Sequence, residues 1–163
     1  MIFPILGRFA ISETTVTQAQ VDLSFASAVC YLELVQDVSD NITKLIGFDE
    51  DARYWIGMSI RESVINAIQH GNREDENKTV GVCLTASPDG LVVLVRDQGE
   101  GFNEDDLPDP TDSENLLKPS GRGIFYVRSF MDDVSFAALP EGGLEVRMEK
   151  RLNREKKGDH DED

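Results

Sequence analysis

The chain has 163 residues, 40% of them hydrophobic, which is enough for one domain with a sizeable core and too apolar for wholesale disorder. Its formal net charge of −15 gives a surface that repels nucleic-acid phosphates, which argues against nonspecific DNA binding. No apolar run reaches the length of a membrane span. The opening MIFPILGRFAI is apolar but short, is interrupted by Pro4 and has no basic stretch before it, so it reads as a strand or tail and not as an export signal. The expected location is therefore the cytoplasm. Cys30 and Cys83 stand in apolar surroundings without CxxC spacing, and both are expected to be reduced thiols of the core.

Residues 1–20 carry weak signals and form an N-terminal extension or a first strand. Residues 21–25 alternate as a strand does. A helical period runs through Val29, Leu32, Val35, Val38, Ile42 and Leu45, predicting a helix over 27–46 that Gly47 stops. A second helix is predicted from about 50 to 70, with Gly71 as its stop. On it Ile56, Ile60, Val64 and Ala67 make an apolar stripe. Beside that stripe lies a polar arc of Ser59, Glu62, Asn66, Gln69 and His70, placed to line the rim of a pocket.

Residues 79–86 and 91–96 are β-rich and are joined by the turn sequence SPDG. Residues 102–120 contain three prolines and read as a long loop, and the stretch 97–117 has eight Asp or Glu and no Lys or Arg. Helix returns over 123–131, and strands over 134–138 and 144–151 close the chain around PEGG. The tail 153–163 is charged and without core residues, and is expected to be mobile. The domain thus spans 21–152. Its element order predicts an α+β two-layer sandwich with helices on one face of a mixed, mostly antiparallel sheet.

Three motifs carry chemistry. In RESVINAIQHGN, the Asn66 side-chain oxygen is a hard neutral ligand suited to Mg2+, and Glu62 one turn earlier can accept a proton from a hydroxyl. In VLVRDQGEGF, Asp97 at a strand end can accept a hydrogen bond from an amino group such as that of adenine, while Gly99 and Gly101 permit close approach. In SGRGIFYV, Gly121 and Gly123 open a helix whose N–H groups favour phosphate, with Arg122 or Lys118 to add charge. Taken singly each has an ordinary reading: a solvated helix face, a tight turn with an Asp cap, a hinge before a helix. Together, in this order, they supply metal, base recognition and phosphate binding for one nucleotide pocket.

These three stretches resemble the N, G1 and G2 boxes of the Bergerat-fold ATPases, the group that includes gyrase, histidine kinases and MutL. The resemblance covers roughly residues 20–151. The small domain, the N box ending in His70-Gly71 and the closing GRGIFYVRSFMDDV look most like the anti-sigma-factor serine kinases of the RsbW and SpoIIAB type. The resemblance implies binding of ATP and Mg2+, sequestration of a sigma factor, and phosphorylation of a serine or threonine on a STAS-domain antagonist. It also implies a cytoplasmic homodimer. By motif position Glu62 would be the general base, Asn66 would hold Mg2+ and Asp97 would read the adenine amine. Gly99 and Gly101 would shape the pocket, and Gly121, Arg122 and Gly123 would line the phosphates under a lid formed by 102–120.

One departure stands out. Relatives often carry a Thr in the last strand that supports the Asp, whereas this chain reads Gly143-Leu144-Glu145-Val146. Weaker adenine binding, or support through water, is the expected consequence. Two other functions compete with the kinase reading. One is a nucleotide-gated binding module without useful kinase activity, in which ATP sets the partner surface. The other is the catalytic domain of a histidine kinase, which fits poorly, because such kinases need a dimerisation helix carrying the phosphorylated His and no such region is read before residue 20.

Overall fold

A computed structural model describes residues 17–100 and 119–153, with the side chains of 119–122 excepted. The expectations for the N-terminal extension, the acidic loop with Gly101, the Arg122 and Lys118 side chains and the charged tail fall outside the described residues.

The strands follow from alternation. Strand β1 (Ala19–Ala26) turns Val21, Leu23 and Phe25 toward the core, and β2 (Thr79–Ser87) turns Val80, Val82, Leu84 and Ala86 the same way. Strand β3 (Gly90–Arg96) contributes Leu91, Val93 and Val95. The ladders bring these positions opposite one another, with Leu23 across from Val82 and Val82 across from Val95. Two further strands, β4 (Asp133–Ala138) and β5 (Leu144–Arg151), complete one sheet in the order β1-β2-β3-β5-β4. All four ladders among the described residues are antiparallel, where a mixed, mostly antiparallel sheet was expected. The reason is topological. The chain returns from β3 through a helix to the edge position β4, and then inserts β5 antiparallel between β4 and β3.

The first helix, α1 (Leu32–Ile46), is shorter than its periodicity suggested, because Val29–Tyr31 form a separate 3-10 turn. That turn buries none of its residues, so Cys30 is exposed and not a core thiol; Cys83 is buried as expected. Gly47 ends α1 in the left-handed region at φ 101°, its amide donating to the carbonyls of Thr43 and Lys44. Asp49 then caps α2 (Glu50–Asn66), its Oδ1 accepting from the Ala52 amide at 2.8 Å, with Glu50 and Asp51 in the positive first turn. The stripe Ile56, Ile60, Val64 and Ala67 is buried, with Ile68 beside it.

The polar neighbours Ser59 and Ser63 are buried too, and return their hydroxyls to the carbonyls of Trp55 and Ser59. Helix α3 (Pro119–Phe130) packs across α2, buries Val127 with Met131 just beyond it, and stacks Phe130 on Trp55 with ring centroids 3.8 Å apart. Phe125 on the same helix is exposed at 44%. The result is the expected two-layer α+β sandwich. The end of β3, the start of β5 and the end of α2 meet at one end of it.

Candidate functional site

Helix α2 does not stop at Gly71 by a simple cap. After Asn66 the chain widens into a π-turn, Ala67–Gly71, and the Asn72 amide donates to the Ala67 carbonyl at 2.8 Å. Arg73 and Glu74 then take left-handed backbone angles of 56° and 58°, which costs a non-glycine residue energy and reverses the chain sharply. The widened turn carries Gly71 over the end of β3.

There Asp97 is buried. Its Oδ1 accepts from the Gly99 amide at 2.8 Å and from the Leu144 amide at 3.2 Å. Its own amide donates to the Leu144 carbonyl at 3.1 Å. No described residue donates to Oδ2. Burial pushes the Asp97 carboxyl above the usual carboxylate range, and the two amides and the charge of Lys78 pull it partway back. The carboxylate lies hard against Gly71, where a Cβ would overlap both Cγ and Oδ2. A Cβ on Gly99 would meet the Gly71 carbonyl at 2.5 Å. Gly143, at φ 100°, leaves room for the Asp97 carbonyl that any Cβ would fill.

Around Asp97 opens a cavity of about 300 Å³. Val95, Ile124, Val127, Phe136, Leu144 and Val146 give it apolar walls, and Asn66, His70, Arg73 and Glu100 bring polar groups to it. A slot of this kind, apolar on its faces with one buried acceptor, fits a flat heterocycle that carries an amino group. Where relatives were expected to place a Thr, Leu144 supports Asp97 through its backbone amide and lends its side chain to the wall. The Leu144 amide thus supports Oδ1 directly.

The predicted site residues divide. Asn66, Asp97 and Gly99 line the cavity together. Glu62 lies one turn back on α2, outside the cavity lining, facing α3. Helix α3 starts at Pro119, which places Gly121 in its first turn and Gly123 just after it. Gly123 is buried against the Glu62 carboxylate, and a Cβ there would overlap it. The Gly123 contact therefore joins the N-terminal part of α3 to Glu62.

Among the described residues no group of three His, Cys, Asp or Glu could hold a metal ion. The donor available is the neutral oxygen of half-buried Asn66, which suits Mg2+ that takes its remaining ligands from water and phosphate. Sequence reasoning missed Asn72, which is fully buried behind the pocket, and Ser63, which lines it. The only signal for Asn72 was its place directly after the helix-stopping Gly71.

A single α+β sandwich with an acidic side chain sunk at the end of β3, under a widened helix end, defines a nucleotide-binding ATPase domain. The profile of the histidine kinase-like ATPase domain matches residues 25–150, and the chain belongs to that family. It is similar to the serine-protein kinase RsbW of Bacillus subtilis, at 29% identity over 137 residues that cover 80% of this chain and 84% of that protein. It is also similar to the anti-sigma F factor of Bacillus subtilis, at 34% identity over 101 residues that cover 60% of this chain and 68% of that protein. RsbW of Staphylococcus epidermidis aligns over 146 residues at 25% identity, covering 85% of this chain and 91% of that protein. No helix among the described residues is long and apolar enough to cross a membrane.

Proposed function

We propose that the chain is an ATP-dependent serine/threonine protein kinase that also acts as an anti-sigma factor in a cytoplasmic partner-switching pathway. The observation that carries this is Asp97: one oxygen held by two backbone amides, the other left for a ligand at the wall of an apolar cavity. Asp97 Oδ2 would accept from the adenine amine while the apolar walls cover the ring faces. Asn66 would hold Mg2+, whose contribution is to neutralise charge on the transferring phosphoryl group. Glu62 would take the proton from the attacking hydroxyl, its carboxylate held in place between α2 and Gly123. Gly101, Gly121 and Arg122 would complete the phosphate side of the site. The partners are a sigma factor and a STAS-domain protein that carries the phosphorylated residue, and the active form is a homodimer.

A second reading rests on Glu62 lying against Gly123 and not on the cavity wall. In that reading the chain is a nucleotide-gated binding regulator without kinase activity. The test is a phosphotransfer assay with ATP labelled on the γ-phosphate, the captured partner proteins and Glu62→Gln in parallel. Acid-stable label on a small partner, absent with Glu62→Gln, supports the kinase. ATP binding without transfer supports the regulator, and acid-labile label would point to phosphohistidine chemistry.

A further inference from the structure

Behind the pocket, three residues close a ring of hydrogen bonds. The Asn72 Nδ2 donates to the Thr79 carbonyl at 2.9 Å. The Thr79 amide donates to Gln98 Oε1 at 2.7 Å. The Gln98 amide donates to Asn72 Oδ1 at 2.7 Å. Asn72 has no exposed surface, and none of the three residues lines the cavity. The ring ties together the turn after α2, the start of β2 and the loop after β3.

The residues it fixes are the neighbours of those that form the adenine end of the pocket. Gly71 precedes Asn72, and Asp97 and Gly99 flank Gln98. At the pocket these flanking residues touch: the Asp97 carboxylate against Gly71, and Gly99 against the Gly71 carbonyl. Each side of that contact is one peptide bond from the ring. The left-handed angle of Arg73 immediately after Asn72 adds a second reason for a firm anchor, since a strained residue persists only where its surroundings over-determine it.

We propose that Asn72, Gln98 and Thr79 form a positioning ring that sets the affinity and base preference of the nucleotide site by holding Asp97 at its depth beneath Gly71. This rests on the reading of the cavity as an ATP site. The ring acts through Asp97 and touches no substrate. Breaking it changes nucleotide binding and leaves turnover at saturating ATP unchanged, because Glu62 and Asn66 lie on α2, outside the ring.

The test is equilibrium binding of ATP and of GTP to the full chain and to three variants. Asn72→Ala removes two of the ring bonds. Gln98→Leu removes one through an exposed residue that the fold does not need buried, and Gln98→Glu keeps the acceptor for Thr79. Losing hydrogen bonds that position the site, two in Asn72→Ala and one in Gln98→Leu, is expected to weaken ATP binding by about tenfold or more, with Gln98→Glu near the wild type. The preference for ATP over GTP is expected to fall in the same two variants, a change that loss of folded protein alone would not produce. If Asn72→Ala fails to fold, Gln98→Leu decides. A wild type that prefers ATP, with Gln98→Leu matching it in both affinity and preference, overturns the ring's role. A wild type that binds neither nucleotide overturns the ATP reading itself, and the ring's role with it.

Discussion

The carboxylate of Asp97 lies so close to the Cα of Gly71 that a single methyl group there would occupy its place. Gly71 does not need a left-handed backbone, so alanine fits its conformation and meets only the contact. Asp97 cannot step aside cheaply, because two amides hold its Oδ1. Gly71→Ala is therefore expected to weaken ATP binding by more than about tenfold while the domain stays folded. Isothermal titration with ATP, alongside circular dichroism, checks both halves.

Asp97→Asn separates the function of this carboxylate from its cost. The amide oxygen can still accept from Gly99 and Leu144, but an NH2 group would face the adenine amine, donor against donor. ATP binding is expected to be lost. Stability should move the other way. Burial holds the Asp97 carboxyl above its unfolded value, so its contribution to stability is greatest below the unfolded carboxylate range and is lost as pH rises through the folded value. The melting temperature of Asp97→Asn should therefore gain on that of the wild type between acid and neutral pH. A constant difference across that range would show that the charge carries no folding penalty.

Glu62 and Gly123 form one unit across two helices. Glu62→Gln is expected to lower phosphotransfer by about 10²–10⁴-fold with ATP binding retained, the usual cost of removing a general base. Gly123→Ala should lower it too, because the new methyl displaces the Glu62 carboxylate. Single-turnover rates for both variants, measured at saturating ATP, make the comparison.

Asn66 is the polar helix residue expected to hold the metal. Chelating Mg2+ is expected to abolish phosphotransfer. Asn66→Ala should raise the Mg2+ concentration needed for half-maximal rate and lower the saturated rate by about a hundredfold or more, in keeping with loss of several kcal/mol of charge stabilisation. A magnesium titration of the rate reads both effects. An unchanged midpoint would remove Asn66 from the metal's coordination.

The Trp55–Phe130 stack, with planes 8° apart, ties the far end of α3 to α2. Trp55→Ala should destabilise the domain by about 1–3 kcal/mol, combining lost stacking with lost apolar contact. Urea unfolding followed by circular dichroism measures it.

The sheet was legible because Val80, Val82, Leu84 and Ala86 alternate without interruption, and a strand has no other way to bury four residues at that spacing. The helices were legible in kind but less so in face. Leu45 fits the apolar period of α1 yet is 63% exposed, while Thr43 on the same helix is fully buried, satisfied by the Ser39 carbonyl at 2.7 Å. Periodicity counts apolar residues and cannot see a hydroxyl that returns its proton to the helix. Asp97, Gly99 and Asn66 could be picked out because motifs that each have an ordinary reading alone supply complementary chemistry together, and the fold gathers these three residues at one cavity. Asn72 could not, because its partners Thr79 and Gln98 come from two remote segments that only the folded sheet brings together. The support that Leu144 gives Asp97 was hidden for a different reason: it comes from a backbone amide, which every residue except proline has.

The π-turn at Ala67–Gly71 puts the end of α2 one residue out of step with the helix before it. An α-helix advances about 100° per residue, so removing either Ala67 or Ile68 would restore the regular winding and swing Gly71 away from Asp97. The domain would keep most of its apolar core and lose the roof of its pocket. In the ATP site proposed above, recognition of the base would depend on a counting irregularity in one helix, which makes residue number at that turn as much a part of the site as residue type.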